Sequence, residues 1–162
     1  MEIAPHYLLL AKLEEEVSFQ RKVINTFMVL PKTPSTVMPK ALDVLRRLTT
    51  SFHLIAFVLE ELESVKDQYV KEQALLLASE SLSLSSLLLC AIESVTPIFL
   101  ENLVIYEEPI LERIEAVAEF IESSLQNYEE QMLEEAVQTV EDIVKTLEFH
   151  IKIGEKAMKK IV

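Results

Sequence analysis

The chain has 162 residues, half of them hydrophobic, with one glycine, one cysteine and a formal net charge of −12. This length suits a single domain, residues 1–162, and this hydrophobic content excludes a disordered chain. The acidity disfavours a general nucleic-acid binder, because such proteins neutralise phosphates with an excess of cations. Abundant leucine and glutamate with almost no glycine predict an all-α fold.

Proline positions divide the chain, because a proline inside a helix costs about 3 kcal/mol. The first predicted helix covers residues 5–30, and its inward stripe contains one polar residue, Gln20. The stretch from Pro31 to Pro39 holds three prolines and predicts an extended linker. The second helix, residues 40–65, has apolar residues at alternating steps of three and four, which is typical of a packed helix.

A turn is expected over Ser64–Gln68, because one helix from residue 40 to residue 96 would be a rod of about 85 Å. The third helix, residues 69–95, is rich in leucine and holds one charge within its most apolar part, Glu80. Five serines and Glu80 interrupt this run, so we interpret it as the central helix of a soluble bundle and predict no membrane span. Cys90 is expected to be a small core residue in a reducing, cytoplasmic environment.

The fourth helix, residues 97–126, is predicted to be short or kinked near Pro109. Asn127 marks either a turn or the interior of one long C-terminal helix, and the last helix, residues 128–153, is expected to stop at Gly154. Helices of similar length with short connections predict an antiparallel up-and-down bundle of about five long helices.

The serines of the third helix are predicted to lie at close helix–helix contacts, Ser81 and Ser85 among them. Nothing near them in sequence could activate a nucleophile, so we predict no catalytic serine. Glu80 is interpreted either as a residue at a helix flank that reaches water or as a carboxyl group in a ligand-binding cavity.

We predict no metal and no cofactor. Carboxylate-bridged di-iron bundles use Glu-x-x-His motifs, and none of His6, His53 and His150 has a glutamate three residues before it. A single cysteine excludes a structural zinc cluster within one chain.

The string from Arg47 to His53, RLTTSFH, has an arginine and a histidine separated by five residues. It resembles the ribonuclease motif of the HEPN helical-bundle family, although Leu48 stands where that family usually has a polar residue. The resemblance covers these seven residues only. It implies an RNA-acting module that uses Arg47 and His53, whereas the simpler interpretation is a solvated polar helix face.

Charge is unevenly distributed along the chain. Residues 101–151 contain fourteen acidic residues and two cations, whereas residues 17–59 contain six cations and one acid. If the first two helices are antiparallel across the Pro31–Pro39 linker, four cations meet at one end. The proposed patch is Arg21, Lys22, Arg46 and Arg47, with His53 on the same helix as the last two.

The absence of a catalytic constellation and the excess of apolar residues predict a non-enzymatic protein that self-associates or binds a protein partner through this patch. The alternatives are the HEPN-like module with Arg47 and His53, and a ligand-binding bundle around Glu80.

Overall fold

The computed structural model describes residues 3–29, 34–95, 110–124 and 130–161. These residues form five α-helices and no strand, which confirms the all-α prediction. The helices are α1 (Ile3–Met28), α2 (Pro34–Glu61), α3 (Gln68–Val95), α4 (Ile110–Ser124) and α5 (Glu130–Ile161), with a 3-10 turn over Leu62–Ser64. All five helices contribute to one hydrophobic core. The expected kink near Pro109 and the expected turn at Asn127 lie outside the described residues.

The helices pack as a bundle, and two contacts between side chains fix the direction of α2 relative to α5. Arg46 of α2 lies against Glu155 of α5, and His53, seven residues later, lies against Glu148, seven residues earlier in α5. These two helices are therefore antiparallel. The most extensive contacts join α2 to α5, α1 to α3 and α3 to α4, so several neighbours in space are not neighbours in sequence.

The break between the second and third predicted helices is confirmed. Helix α2 ends at Glu61, and α3 begins at Gln68 after the 3-10 turn. The carboxylate of Asp67 accepts hydrogen bonds from the backbone N–H groups of Tyr69 and Val70, at 2.9 and 3.4 Å. An N-terminal cap of this kind satisfies amide groups that have no partner within the helix, which fixes where α3 starts.

Two predicted helix boundaries are wrong. Helix α2 begins at Pro34, not near Pro39, so Pro39 lies inside the helix with its ring exposed. Pro34 takes the first helical position, where a missing N–H is harmless, and only Pro39 costs an internal hydrogen bond. Gly154 does not end the last helix: it is buried within α5, which continues to Ile161. A single glycine costs a helix only about 1 kcal/mol, which packing can offset.

Helix α3 packs against α1, α2 and α4. One of its two predicted apolar stripes is entirely buried, namely Leu75, Ala78, Leu82, Leu89 and Ile92. By length and composition alone, Gln68–Ile92 could also cross a membrane, with a mean hydropathy of 1.9 and 56% of its most apolar window buried in the bundle. A core helix and a membrane span share this composition, so the hydropathy does not distinguish them.

The expected core position of Cys90 is wrong, because its side chain is exposed. It lies on the outer side of α3, about 100° of helix rotation away from the buried residue Leu89. The apolar sequence around Cys90 therefore covers both the inner and the outer side of the same helix.

Candidate functional site

The predicted basic patch is not assembled as expected. Arg47 of α2 lies level with Glu16 of α1, five residues before Arg21, which is about 7.5 Å along the helix axis. The offset arises because α2 begins five residues earlier than predicted, which moves the apex of the α1–α2 hairpin. Arg21 instead forms an ion pair with Glu80 of α3, and Lys22 is exposed on the outer side of α1.

Arg47 takes part in a network that joins α1 to α2. Its Nη2 donates to Oε1 of Glu16 at 2.6 Å, and its Nε donates to Oε2 at 3.3 Å. The hydroxyl of Ser51 donates to Oε2 of the same carboxylate at 2.6 Å. The guanidinium also lies over the ring of Phe19, 4.6 Å from the centroid. Glu16 is thus a buried carboxylate that accepts three hydrogen bonds, two of them from Arg47. Arg47 therefore takes part in a contact within the chain.

The structure does not bring Arg47 and His53 together. Six residues of helix separate their side chains by about 120° of rotation. Arg47 reaches α1, whereas the exposed His53 lies 3.8 Å from Glu148 of α5. Arg46 takes the remaining acidic contacts, with Asp43 and Glu155, both at 3.2 Å. The cations of the predicted patch therefore contact three different helices.

Two buried serines of α3, Ser81 and Ser85, form a contact with α1. The side-chain amide of Gln20 donates to Oγ of Ser85 at 2.9 Å, and the hydroxyl of Ser81 donates to the amide oxygen of Gln20 at 2.9 Å. Ser85 also donates to the backbone carbonyl of Ser81 at 2.7 Å. All three residues are fully buried. These contacts support the interpretation that the serines pack against a neighbouring helix. Their partner in α1 is Gln20, the polar residue in its apolar stripe.

Glu80 lies at the edge of the same contact, where its side chain is 38% exposed and pairs with Arg21. This position matches the interpretation of Glu80 as a residue at a helix flank that reaches water. The ligand-binding interpretation of Glu80 requires a cavity into which its carboxylate points. In the structure this carboxylate pairs with Arg21 instead.

The outer side of α3 carries an apolar stripe that the sequence analysis missed. Tyr69, Leu76 and Leu87 are 60, 46 and 57% exposed. Their spacing of seven and eleven residues places them within about 20° of one another around the helix. The signal was present in the sequence, since this helix is apolar on more sides than its neighbours cover. We call these three residues the α3 stripe.

Carboxylates of α4 run beside this stripe. The hydroxyl of Ser79 donates to Oε1 of Glu122 at 3.0 Å, and the hydroxyl of Ser86 donates to Oε1 of Glu115 at 3.2 Å. Glu119 is exposed between them, one turn from each. We call Glu115, Glu119 and Glu122 the α4 carboxylate row. Its two outer members are held against α3 by Ser79 and Ser86, which belong to the serines predicted to lie at helix–helix contacts.

A groove of about 550 Å³ lies between α4 and α5. Its walls carry Arg113, Glu112 and Glu135 together with Phe120 and Thr139. Charges of both signs alternate with apolar surface there, so the groove does not indicate one class of ligand. In the described part of the chain, no three or more His, Cys, Asp or Glu side chains are grouped so that they could hold a metal ion.

His150 of α5 is buried, and burial lowers the pKa of its imidazole below 6.5. The unfolded chain therefore binds a proton near pH 6.5 that the folded chain binds only at lower pH. We expect His150 to stabilise the fold fully above this range. As the pH falls below 6.5 its contribution should be lost, by up to about 1.4 kcal/mol per pH unit, until the folded-state pKa is passed.

This expectation is tested by urea unfolding of wild type and His150→Gln at about pH 8 and about pH 5. The difference in unfolding free energy between the two proteins should shrink at the lower pH. The matched control is His53→Gln, since His53 is exposed. An equal difference for His150→Gln at both pH values would contradict the assignment.

Comparison with known proteins gives a family without an assigned activity. A family model described as "Uncharacterized protein" matches residues 6–161. A protein of Aquifex aeolicus (strain VF5), also described as "Uncharacterized protein", is 47% identical over 118 residues, which is 72% of this chain and 72% of that protein. No solved structure matches. Because the family model spans nearly the whole length, the chain belongs to this family of uncharacterized proteins.

Proposed function

We propose that the protein is a non-enzymatic helical bundle that binds another protein through the outer side of α3. The observation that carries this proposal is the α3 stripe. Tyr69, Leu76 and Leu87 are 46–60% exposed on a helix whose other sides supply buried core residues. Exposed apolar side chains along one side of a helix in a folded protein commonly mark interaction surfaces, because their burial on binding is favourable.

The contact surface proposed here differs from the basic patch predicted from the sequence. Arg47 is engaged by Glu16, Arg46 by Asp43 and Glu155, and Arg21 by Glu80, so these cations already have acidic neighbours within the chain. The exposed pairs of Arg21 and Arg46 are worth about 0–1 kcal/mol each, whereas Arg47 pairs with a buried carboxylate. No observation favours the HEPN-like alternative, since Arg47 and His53 face different helices. Cytoplasmic location and the absence of a metal or cofactor remain predictions.

The test changes the stripe without changing charge. We expect Leu76→Ser with Leu87→Ser to leave folding nearly unchanged, because both side chains are exposed. When the tagged wild-type protein is purified from its native cells, a partner protein should co-purify with it. The same variant should lose this partner. Mass spectrometry identifies the partner, and light scattering measures the mass of the complex.

The matched control is Phe57→Ser with Phe149→Ser, which removes two half-exposed apolar side chains from α2 and α5. This control should keep the partner. Equal retention by both variants would contradict the assignment of the α3 stripe, and a wild-type protein that purifies alone as a monomer would contradict the proposed function itself.

A further inference from the structure

We propose that the α3 stripe and the α4 carboxylate row together form a docking surface for an amphipathic helix with cationic flanks, supplied by a different protein. This inference rests on the proposed function and specifies the chemistry of the partner. It follows from three observations: the length of the stripe, the position of the carboxylates beside it, and the sign of the surrounding charge.

The stripe has the dimensions of a helix-binding seam. Eighteen residues separate Tyr69 from Leu87, which corresponds to five helical turns and about 27 Å. Leu76 lies between them on the same side, so the exposed apolar side chains follow the axis of α3 and do not form a round patch. A partner helix of about 18 residues with apolar residues on one side could cover this length, as amphipathic helices do in hydrophobic grooves.

The carboxylate row gives this docking surface a charged edge at the same level along α3. Glu122 is bonded to Ser79 and Glu115 to Ser86, so the row lies between the levels of Leu76 and Leu87. These hydrogen bonds hold two carboxylates in place before any partner arrives, which reduces the entropy lost on binding. A lysine or arginine at the flank of a docked helix would reach the row, and such complementary charge raises the rate and specificity of association.

The same charges argue against a second copy of this chain as the occupant. With α3 antiparallel to its copy, the α4 carboxylate row of one chain would face the same row of the other. With α3 parallel to its copy, the row would face the α1 side of the other chain. The cation at that edge, Arg21, already pairs with Glu80. A lipid surface fits less well than a peptide, since Glu80 interrupts the stripe and the row would lose its hydration.

The direct probe is a fluorescein-labelled peptide of about 18 leucine and lysine residues, with the leucines at helical spacing on one side. An analogue with glutamate in place of lysine has the same apolar pattern and the opposite charge. Fluorescence anisotropy with the full-length protein should show saturable binding of the lysine peptide and none of the glutamate peptide. Binding should weaken between about 0.05 and 0.5 M salt, because screening shortens the reach of exposed charges.

Two variants locate the binding. Glu115→Gln with Glu119→Gln and Glu122→Gln removes three charges while the new amides can still accept the serine hydrogen bonds, and it should weaken lysine-peptide binding about tenfold. The matched control, Glu60→Gln with Glu134→Gln and Glu141→Gln, removes three charges from the groove between α2 and α5. It should change binding less than about twofold. Leu76→Ser with Leu87→Ser should weaken binding about tenfold at unchanged net charge.

Equal weakening by the two charge variants would show attraction to overall acidity and overturn the inference. Binding of the glutamate peptide would contradict the claim that the α4 carboxylate row selects a cationic partner. Binding to neutral phosphatidylcholine vesicles that is lost in Leu76→Ser with Leu87→Ser would assign the stripe to a membrane instead. If both peptides fail while a co-purified protein still requires Leu76 and Leu87, the inference fails and the proposed function stands.

Discussion

Replacing Arg47 with methionine should lower the free energy of unfolding by about 2–4 kcal/mol. The substitution leaves Glu16 as a carboxylate whose side chain is only 10% exposed and which still accepts a hydrogen bond from Ser51. Removing one partner of a fully buried pair costs about 3–5 kcal/mol. The expected loss is smaller here because the side chain of Arg47 is itself 44% exposed and water can reach the pair. Urea unfolding at neutral pH measures the effect.

The chain offers a matched control one residue away. Arg46→Met removes the same functional group from an exposed position and breaks contacts with Asp43 and Glu155 at the surface. It should cost less than about 1 kcal/mol. Adding Glu16→Leu to Arg47→Met should recover part of the loss, because no unpaired buried charge then remains. Equal losses for Arg46→Met and Arg47→Met would contradict the internal role of Arg47.

The features that follow from local sequence were predictable. The seam of α2, from Leu45 to Leu62, is buried as its alternating spacing indicates, and the break at Ser64–Gln68 occurs where the polar residues cluster. Gln20 was predicted to lie on the inward side of α1, and it is buried there. These inferences depend on helical periodicity and on capping chemistry, which act within a few residues.

The features that depend on how helices meet were not predictable from one sequence. Helix α2 starts at Pro34 and not near Pro39, and Arg21 is separated from Arg47, although the prolines of the region allowed either start. The outer position of Cys90 and Leu87 depends on which sides of α3 are covered by α1 and α4. Periodicity shows that a helix has several apolar sides, but the number of neighbours decides which of them is left exposed.

Replacing Ser85 with leucine should destabilise the bundle by about 2–4 kcal/mol, which would show that α1 and α3 are joined by close contact between small residues. Leucine adds three carbon atoms at a position with no exposed surface, between α3 and Gln20. The larger side chain must displace α1 or adopt a strained rotamer, which alone costs about 1–3 kcal/mol. The amide of Gln20 also loses the hydroxyl to which it donates, and a buried polar group without a partner adds to the cost.

Ser83→Leu provides the comparison, because Ser83 is exposed two residues earlier on the same helix and should change the unfolding free energy by less than about 0.5 kcal/mol. Thermal and urea unfolding of both variants measure the difference. Ser85→Ala with Gln20→Leu separates the two causes: it removes the polar groups without adding volume on α3, so it should cost less than Ser85→Leu. A melting temperature for Ser85→Leu equal to that of wild type would rule out the close contact, since a tightly packed site cannot absorb three additional carbon atoms without strain.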